Sequence, residues 1–387
     1  MMYKIVEKAY RYRFYPTDDQ KEYLARTFGC CRFTYNYFLD LKTGLWKEEK
    51  KRVSYSECST LLRSLKHEYP WLKEVSSVCL QQSLRHLDKA FDRFFKRQAK
   101  YPKFKKRAYE QSASYMKNSF TYVDGEIRLA KQKQPLGIRW SRRFTGTPNS
   151  LTVTRESAGR YYISIHVKEV VQAFPFKPRE VGLDLGLKDT ITTNTGEVVC
   201  NPRFLEKKQK TLRKRQKTLA RRKKGSNNYK KARIALAIAY AKIRDKRHDF
   251  LHKLSTKLVN ENQVIAIESL TVKKMIQNKY LSRSISDVGW TTLVRFLEYK
   301  CDWYGKDLVR VDTFFPSSKL CSHCGYKLEE LSLSTRQWKC PQCSEVHDRD
   351  KNAAKNVLAE GLKQFAPINQ STVGRTGFYA CGACVRP

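Results

Sequence analysis

The sequence predicts a multidomain α+β protein: a small antiparallel β-domain carrying a helical insertion, then an α/β domain interrupted by a zinc ribbon. Three observations predict it. Apolar residues keep a helical period from Gln20 to about Arg107, and short alternating runs with turn residues replace that period from Ser119 to Glu169. Two Cys-x-x-Cys pairs lie fifteen residues apart in the C-terminal half. At 387 residues the chain can form roughly two or three domains with real cores.

Lys4 to Phe14 reads as a strand. Pro16-Thr17-Asp18-Asp19-Gln20 then supplies a proline, a hydroxyl cap and early acids for a helix start. In the helices that follow, Leu24, Phe28, Cys31, Tyr35 and Phe38 recur at three- and four-residue steps, as do Leu80, Leu84, Leu87, Phe91 and Phe94. This tract ends in a basic and aromatic run from Phe94 to Arg107. Such a run either tracks a phosphate backbone while offering rings for stacking, or is a solvated helix end. Phe120 to Val123, Leu151 to Thr154 and Tyr161 to Val167 read as antiparallel strands bounded by Asp124-Gly125 and Gly159. The strand near residue 10 has no local partner, so the simplest topology lets it join this later sheet. The run from Phe174 to Arg179, with two prolines, is a linker.

Val181 to Leu187 is an apolar strand with a single acid, Asp184. Asp189 to Cys200 makes two more strands about the turn Asn194-Thr195-Gly196. After a long helical tract, Val264-Ile265-Ala266-Ile267 ends on Glu268, and Leu308 to Thr313 supplies a fifth strand. An ionised acid in so apolar a strand is costly unless it is paired or ligates a cation, which makes Asp184 and Glu268 candidate metal ligands. A third comes from Asp348 or Asp350, at the start of a C-terminal helix. This order of strands, acids and helices is that of an RNase H-like nuclease fold. Three carboxylates there can hold two Mg²⁺ ions about 4 Å apart, one generating hydroxide and the other stabilising the leaving oxygen of a phosphodiester.

Cys321, Cys324, Cys340 and Cys343 have the spacing of a structural Zn²⁺ site, because each two-residue gap lets two thiolates converge on one tetrahedral ion. A closed four-sulfur site does no catalysis, and His323 and His347 are expected to stand aside. Cys381 and Cys384 form a third pair with no partner pair. His248 and His252 lie four residues apart, but Asp249 stands where a zinc protease needs glutamate, and the helix is crowded with cations.

Lys and Arg number 77 against 37 Asp and Glu, a formal charge of +40 that calls for a polyanionic partner. The content of 6 Trp, 22 Tyr and 19 Phe excludes a disordered basic tail. The charge peaks between Arg203 and Lys253, where 20 basic residues face three acids. Arg213, Lys214, Arg215, Arg221, Arg222, Lys223, Lys224 and Arg247 are the candidates for phosphate contact, on two helices broken at Gly225. No run reaches the length of a membrane span, the start has no cleavable leader pattern, and the expected location is the cytoplasm.

Together the segments RYRFYPTDDQ, LQQSLRHLDKAFDRFF, VGLDLGLKD, DFLHKLST, IAIESLTVKKM, SDVGWTTLVRFLEYK, FPSSKLCSHCG and CPQCSEVHDRDKNAAKNVL resemble the TnpB (OrfB) proteins of IS200/IS605-type insertion elements, relatives of type V CRISPR nucleases. The resemblance spans nearly the whole chain. It implies an RNA-guided DNA endonuclease with a noncoding guide RNA and a double-stranded target bearing a short adjacent motif, acting alongside a separate transposase. It further implies a β-barrel wedge domain (residues 1–15 and 108–175), a helical recognition lobe (16–107), a RuvC-like nuclease domain (176–318 and 345–387) and the zinc ribbon (319–344). By motif, Asp184, Glu268 and Asp350 become the catalytic magnesium ligands. Gln81 and Gln82 are candidates for reading bases beside the target, helix packing being their other possible role. Ser269 and Ser344 depart from residues common in the family, and neither is a ligand. The competing expectations are a guided DNA-binding regulator without catalysis and a transposase performing strand transfer.

Overall fold

The computed structural model describes residues 3–332 and 334–373, which divide into two compact units. One comprises Ile5–Val170 with Arg215–Ile238; the other comprises Tyr3, Lys4, Val171–Lys214 and the described residues from Ala239 onward. Cys381 and Cys384 lie outside the described residues. No described helix is long and apolar enough to cross a membrane.

The N-terminal unit runs through β1 (Tyr3–Phe14), α1 (Asp18–Glu49), α2 (Tyr55–Glu68), α3 (Ser77–Phe95), β2 (Gln111–Met116), β3 (Phe120–Val123), β4 (Glu126–Leu129), β5 (Ile138–Arg139), β6 (Pro148–Arg155) and β7 (Tyr161–Gln172). Helix α1 starts where the sequence signals it. The Thr17 side chain accepts from the Gln20 N–H, and the Gln20 side chain accepts from the Thr17 N–H, so each satisfies one orphan donor of the first turn. A second such box, Ser54 with Glu57, opens α2. The strands form the order β2-β6-β7-β1-β5, which seats β1 between β7 and β5 as expected. Alternation along β7 turns Tyr161, Ile163, Ile165 and Val167 inward. They share one apolar core with Leu24, Phe38, Leu80 and Leu84 of the helices.

The second unit contains β8 (Glu180–Asp184), β9 (Asp189–Thr193), β10 (Val198–Cys200), α4 (Phe204–Lys207), α5 (Gln209–Ala220), α6 (Asn227–Glu261), β11 (Val264–Glu268), α7 (Val272–Met275), α8 (Ser282–Val288), α9 (Trp290–Tyr304), β12 (Asp307–Val311), β13 (Gln337–Lys339), β14 (Val346–Asp348) and α10 (Arg349–Val373). Of α5 and α6, the parts between Arg215 and Ile238 belong to the N-terminal unit. The expected meander β10-β9-β8 is antiparallel, and β11 and β12 extend it as parallel strands in the order β10-β9-β8-β11-β12. Helix α10 crosses this sheet at very short range because Gly182 has no side chain. A Cβ there would sit 2.1 Å from the Ala354 carbonyl oxygen and 2.7 Å from Leu358 Cβ. Gly361 plays the same part against Ala266, at 2.6 Å. Two glycines, one on each element, thus bring the start of α10 to the strand ends.

Candidate active site and metal centre

Strand register determines where the first two acids fall. In the parallel pair of β8 with β11, Leu183 lies opposite Ile267, so the next residues, Asp184 and Glu268, leave adjacent strand ends at the same level. The Glu268 carboxylate is oriented by the Leu185 backbone N–H, which donates to Oε1 at 3.0 Å. Asp350, in the first turn of α10, lines the same cavity of about 320 Å³. Asp189, Ser317, Ser318, Arg336 and Arg349 line it too. Asp348, the other acid left open by residue order, ends β14 and caps the Lys351 N–H at 2.9 Å; it does not line the cavity.

The acids are held against their own repulsion. Burial first, then the charges of Glu268 and Asp350, push the Asp184 carboxyl well above its ordinary value, with Arg349 opposing. Burial also raises Glu268, against the hydrogen bond from Leu185. Arg336 donates to Asp350 Oδ2 at 3.2 Å and holds this third acid. A half-buried cluster of hard oxygen donors with excess negative charge fits a divalent cation such as magnesium. The acids do not crowd to a single point: among the described residues, only the four cysteines bring three or more candidate ligand atoms within 4.8 Å of one another.

Those cysteines fit zinc closely. The sulfurs of Cys321 and Cys343 are 3.7 Å apart and those of Cys324 and Cys340 are 3.6 Å apart. A tetrahedral ion with Zn–S bonds of about 2.3 Å requires sulfur separations of about 3.8 Å. Gly325, at φ 81°, makes the first knuckle's turn, and Ser344 takes the matching position after the second at φ 62°. His323 is exposed, as expected of a residue standing aside. His347 is not a bystander: it is buried against Trp338, with Nε2 3.0 Å from Cys321 Sγ. It approaches a thiolate as an outer partner does.

The remaining candidates are spread over other elements. Gln81 is exposed and Gln82 half-buried on α3. Arg213, Lys214, Arg221, Arg222, Lys223 and Lys224 are exposed on α5 and the turn after it, while half-buried Arg215 donates to the Ala235 carbonyl at 2.8 Å. Arg247 differs from these: its guanidinium donates to Asp287 Oδ1 at 2.6 Å, and Asp287 is buried and also accepts the Leu205 N–H. Sequence shows the cation but not the distant acid that takes it up. His252 stacks on Phe296 at 3.8 Å, a packing role. In the basic aromatic run, Phe95 and Phe104 are exposed, but the Lys105 backbone is tied to the Asn36 amide and its ammonium lies over the Tyr35 ring. Arg336 and Arg349 were missed by sequence reasoning, since neither lies in an acid-bearing strand; the Arg349-Asp350 doublet is a local signal for Arg349, and Arg336 has none.

Known proteins match this arrangement along the chain. Residues 164–279 match the family OrfB_IS605, described as a probable transposase; residues 290–357 match the TNB domain of Cas12f1-like proteins; and residues 1–51 match the helix-turn-helix domain of the OrfB_IS605 family. Here that last segment is β1 followed by one 32-residue helix. A solved Cas12f1 chain, from a complex with sgRNA and target DNA, aligns over 91% of this chain and 98% of its own at a TM-score of 0.51 and 12% identity. The fold is therefore of the Cas12f class, mixed α/β with a zinc-ribbon-like cysteine cluster. A protein of Streptomyces pristinaespiralis, provisionally named an RNA-guided DNA endonuclease, is 47% identical over 94% of this chain and 92% of its own. The Escherichia coli K12 protein InsQ, provisionally named in the same way, is 31% identical over 92% of each chain. The chain belongs to the TnpB (OrfB) family.

Proposed function

We propose that this protein is an RNA-guided DNA endonuclease in which Asp184, Glu268 and Asp350 hold magnesium in a RuvC-type site. The observation that carries the reading is the convergence of these three acids, from β8, β11 and α10, on one cavity. Magnesium held by these three acids would supply Lewis-acid stabilisation of the charge on a phosphodiester and activation of water. The chain's own residues do the rest. The Leu185 N–H aims Glu268, Arg336 restrains Asp350, and Arg336 with Arg349 offers positive charge to a phosphate entering the cavity.

The partners are a noncoding guide RNA and duplex DNA with a short adjacent motif. Base pairing with the guide reads the target, so the protein needs mainly backbone contacts. Exposed Arg221, Arg222, Lys223 and Lys224 suit that task. In this reading residues 1–15 and 108–175 form the wedge domain, 16–107 the recognition lobe, and 176–318 with 345–387 the nuclease domain around the ribbon at 319–344.

The test is cleavage of matched duplex DNA by the ribonucleoprotein, with sequencing of the RNA that copurifies. Cutting that needs the guide, stops with EDTA and disappears in Asp184→Ala supports the proposal. Guided binding without cutting would make the protein a regulator, and strand transfer without another recombinase would make it a transposase.

A further inference from the structure

Two buried asparagines join the zinc knuckle to the helix that carries Asp350. Asn352 and Asn356, 2% and 4% exposed, lie four residues apart and therefore on one face of α10. Asn352 Nδ2 donates to the Leu320 carbonyl at 2.7 Å, and its Oδ1 accepts the Ser322 N–H at 3.0 Å. Asn356 Nδ2 donates to the same Leu320 carbonyl at 2.6 Å and to that of Ser317 at 2.8 Å. Leu320 and Ser322 flank the zinc ligand Cys321, and Asp350 is two residues before Asn352.

The second half of the ribbon reaches the same place by another route. Gln337 pairs with Asp348 in the β13–β14 ladder, and the Arg349 N–H donates to the Arg336 carbonyl at 2.8 Å. Each pair of cysteines is thus fastened to the start of α10, one by the amides and the other by the ladder. An ion bridging the two pairs closes the ring. Without it, the first knuckle is held to the start of α10 by the asparagine bonds and the His347–Cys321 contact, and the acid they help seat is supported less firmly.

We propose that Asn352 and Asn356 are positioning residues that couple zinc retention in the ribbon to the placement of Asp350 for magnesium. This rests on the proposed catalytic role of Asp350. Asn352 bonds only Leu320 and Ser322, which lie outside the cavity lining, so its effect passes through the knuckle; Asn356 also reaches the lining residue Ser317 through its carbonyl.

The experiment uses the intact ribonucleoprotein carrying Asn352→Ala, with Asn356→Ala as the milder variant that leaves both Asn352 bonds in place. Zinc release to a colorimetric chelator is timed, and cleavage is titrated with magnesium. Outer-shell partners of metal sites typically contribute about 10–100-fold, so zinc release should quicken about tenfold and half-saturating magnesium should rise by a similar factor. Target binding should stay at the wild-type level. The milder variant should shift both readouts in the same direction. Faster zinc release with unchanged magnesium dependence overturns the coupling, and so does a magnesium shift with unchanged zinc release. If instead Asp350→Ala cuts like wild type, the catalytic assignment fails, which the zinc arm reads separately.

Discussion

The Leu185 N–H donates to Glu268 Oε1 at 3.0 Å, so the residue after Asp184 orients the acid on the neighbouring strand. Two carboxylates that repel each other are thereby held at one level by the backbone, which pays no side-chain entropy to do so. Mutual repulsion of this kind is what a divalent cation held by both carboxylates would relieve.

Removing a carboxylate should therefore separate chemistry from binding. Asp184→Ala and Glu268→Gln are expected to lower cleavage by more than about 100-fold, since losing a ligand should cost more than losing an outer partner. Guide and target affinity should be unchanged in filter-binding or gel-shift measurements. Comparable cleavage by either variant would remove that acid from the site.

Zinc should be present at one ion per chain by elemental analysis. Cys340→Ser should lose that ion and lower the melting temperature, because ligand binding stabilises only the folded ribbon. A zinc-free preparation with full thermal stability would contradict the role given to the four sulfurs.

Gly182→Ala should be costly despite adding one methyl group. The added Cβ meets a backbone carbonyl 2.1 Å away and cannot be relieved by a rotamer change. Destabilisation of about 1–3 kcal/mol, read by chemical denaturation, is expected from overpacking. Cleavage should fall with it, as α10 lifts Asp350 away from β8. A neutral substitution would mean that the helix does not pack this closely.

Arg247 and the exposed cations of the basic tract should behave differently. Arg247→Ala strips a buried acid of its partner and should cost about 3–5 kcal/mol of stability, with little effect on the salt dependence of binding. Replacing Arg221, Arg222, Lys223 and Lys224 with alanine should leave stability unchanged. It should also make the log–log salt dependence of nucleic-acid binding shallower, by about 0.7 to 0.9 per lost phosphate contact. Equal slopes for wild type and the quadruple variant would place the nucleic acid elsewhere.

Features written in short stretches of chain were legible in the sequence. The caps of α1 and α2 involve residues three apart, the Cys-x-x-Cys knuckles are built by adjacent turns, and the alternation of β7 follows from period two. Asp184 and Glu268 stood out because each is a lone charge in an apolar strand, and the helical tract broke near Gly225 as its composition indicated. Pairing across distance was not legible. Whether Glu268 lies beside Asp184 depends on the β8–β11 register, whether Arg247 meets phosphate or Asp287 depends on a helix 40 residues away, and the asparagine clamp joins residues about 30 positions apart. Sequence by itself determined which side chains could bear metal and charge, since spacing and hydrophobic period act locally. Only the tertiary structure decided which of them meet, because the close approach of α10 through Gly182 and Gly361, and the partners that neutralise buried charge, are settled by packing between distant segments.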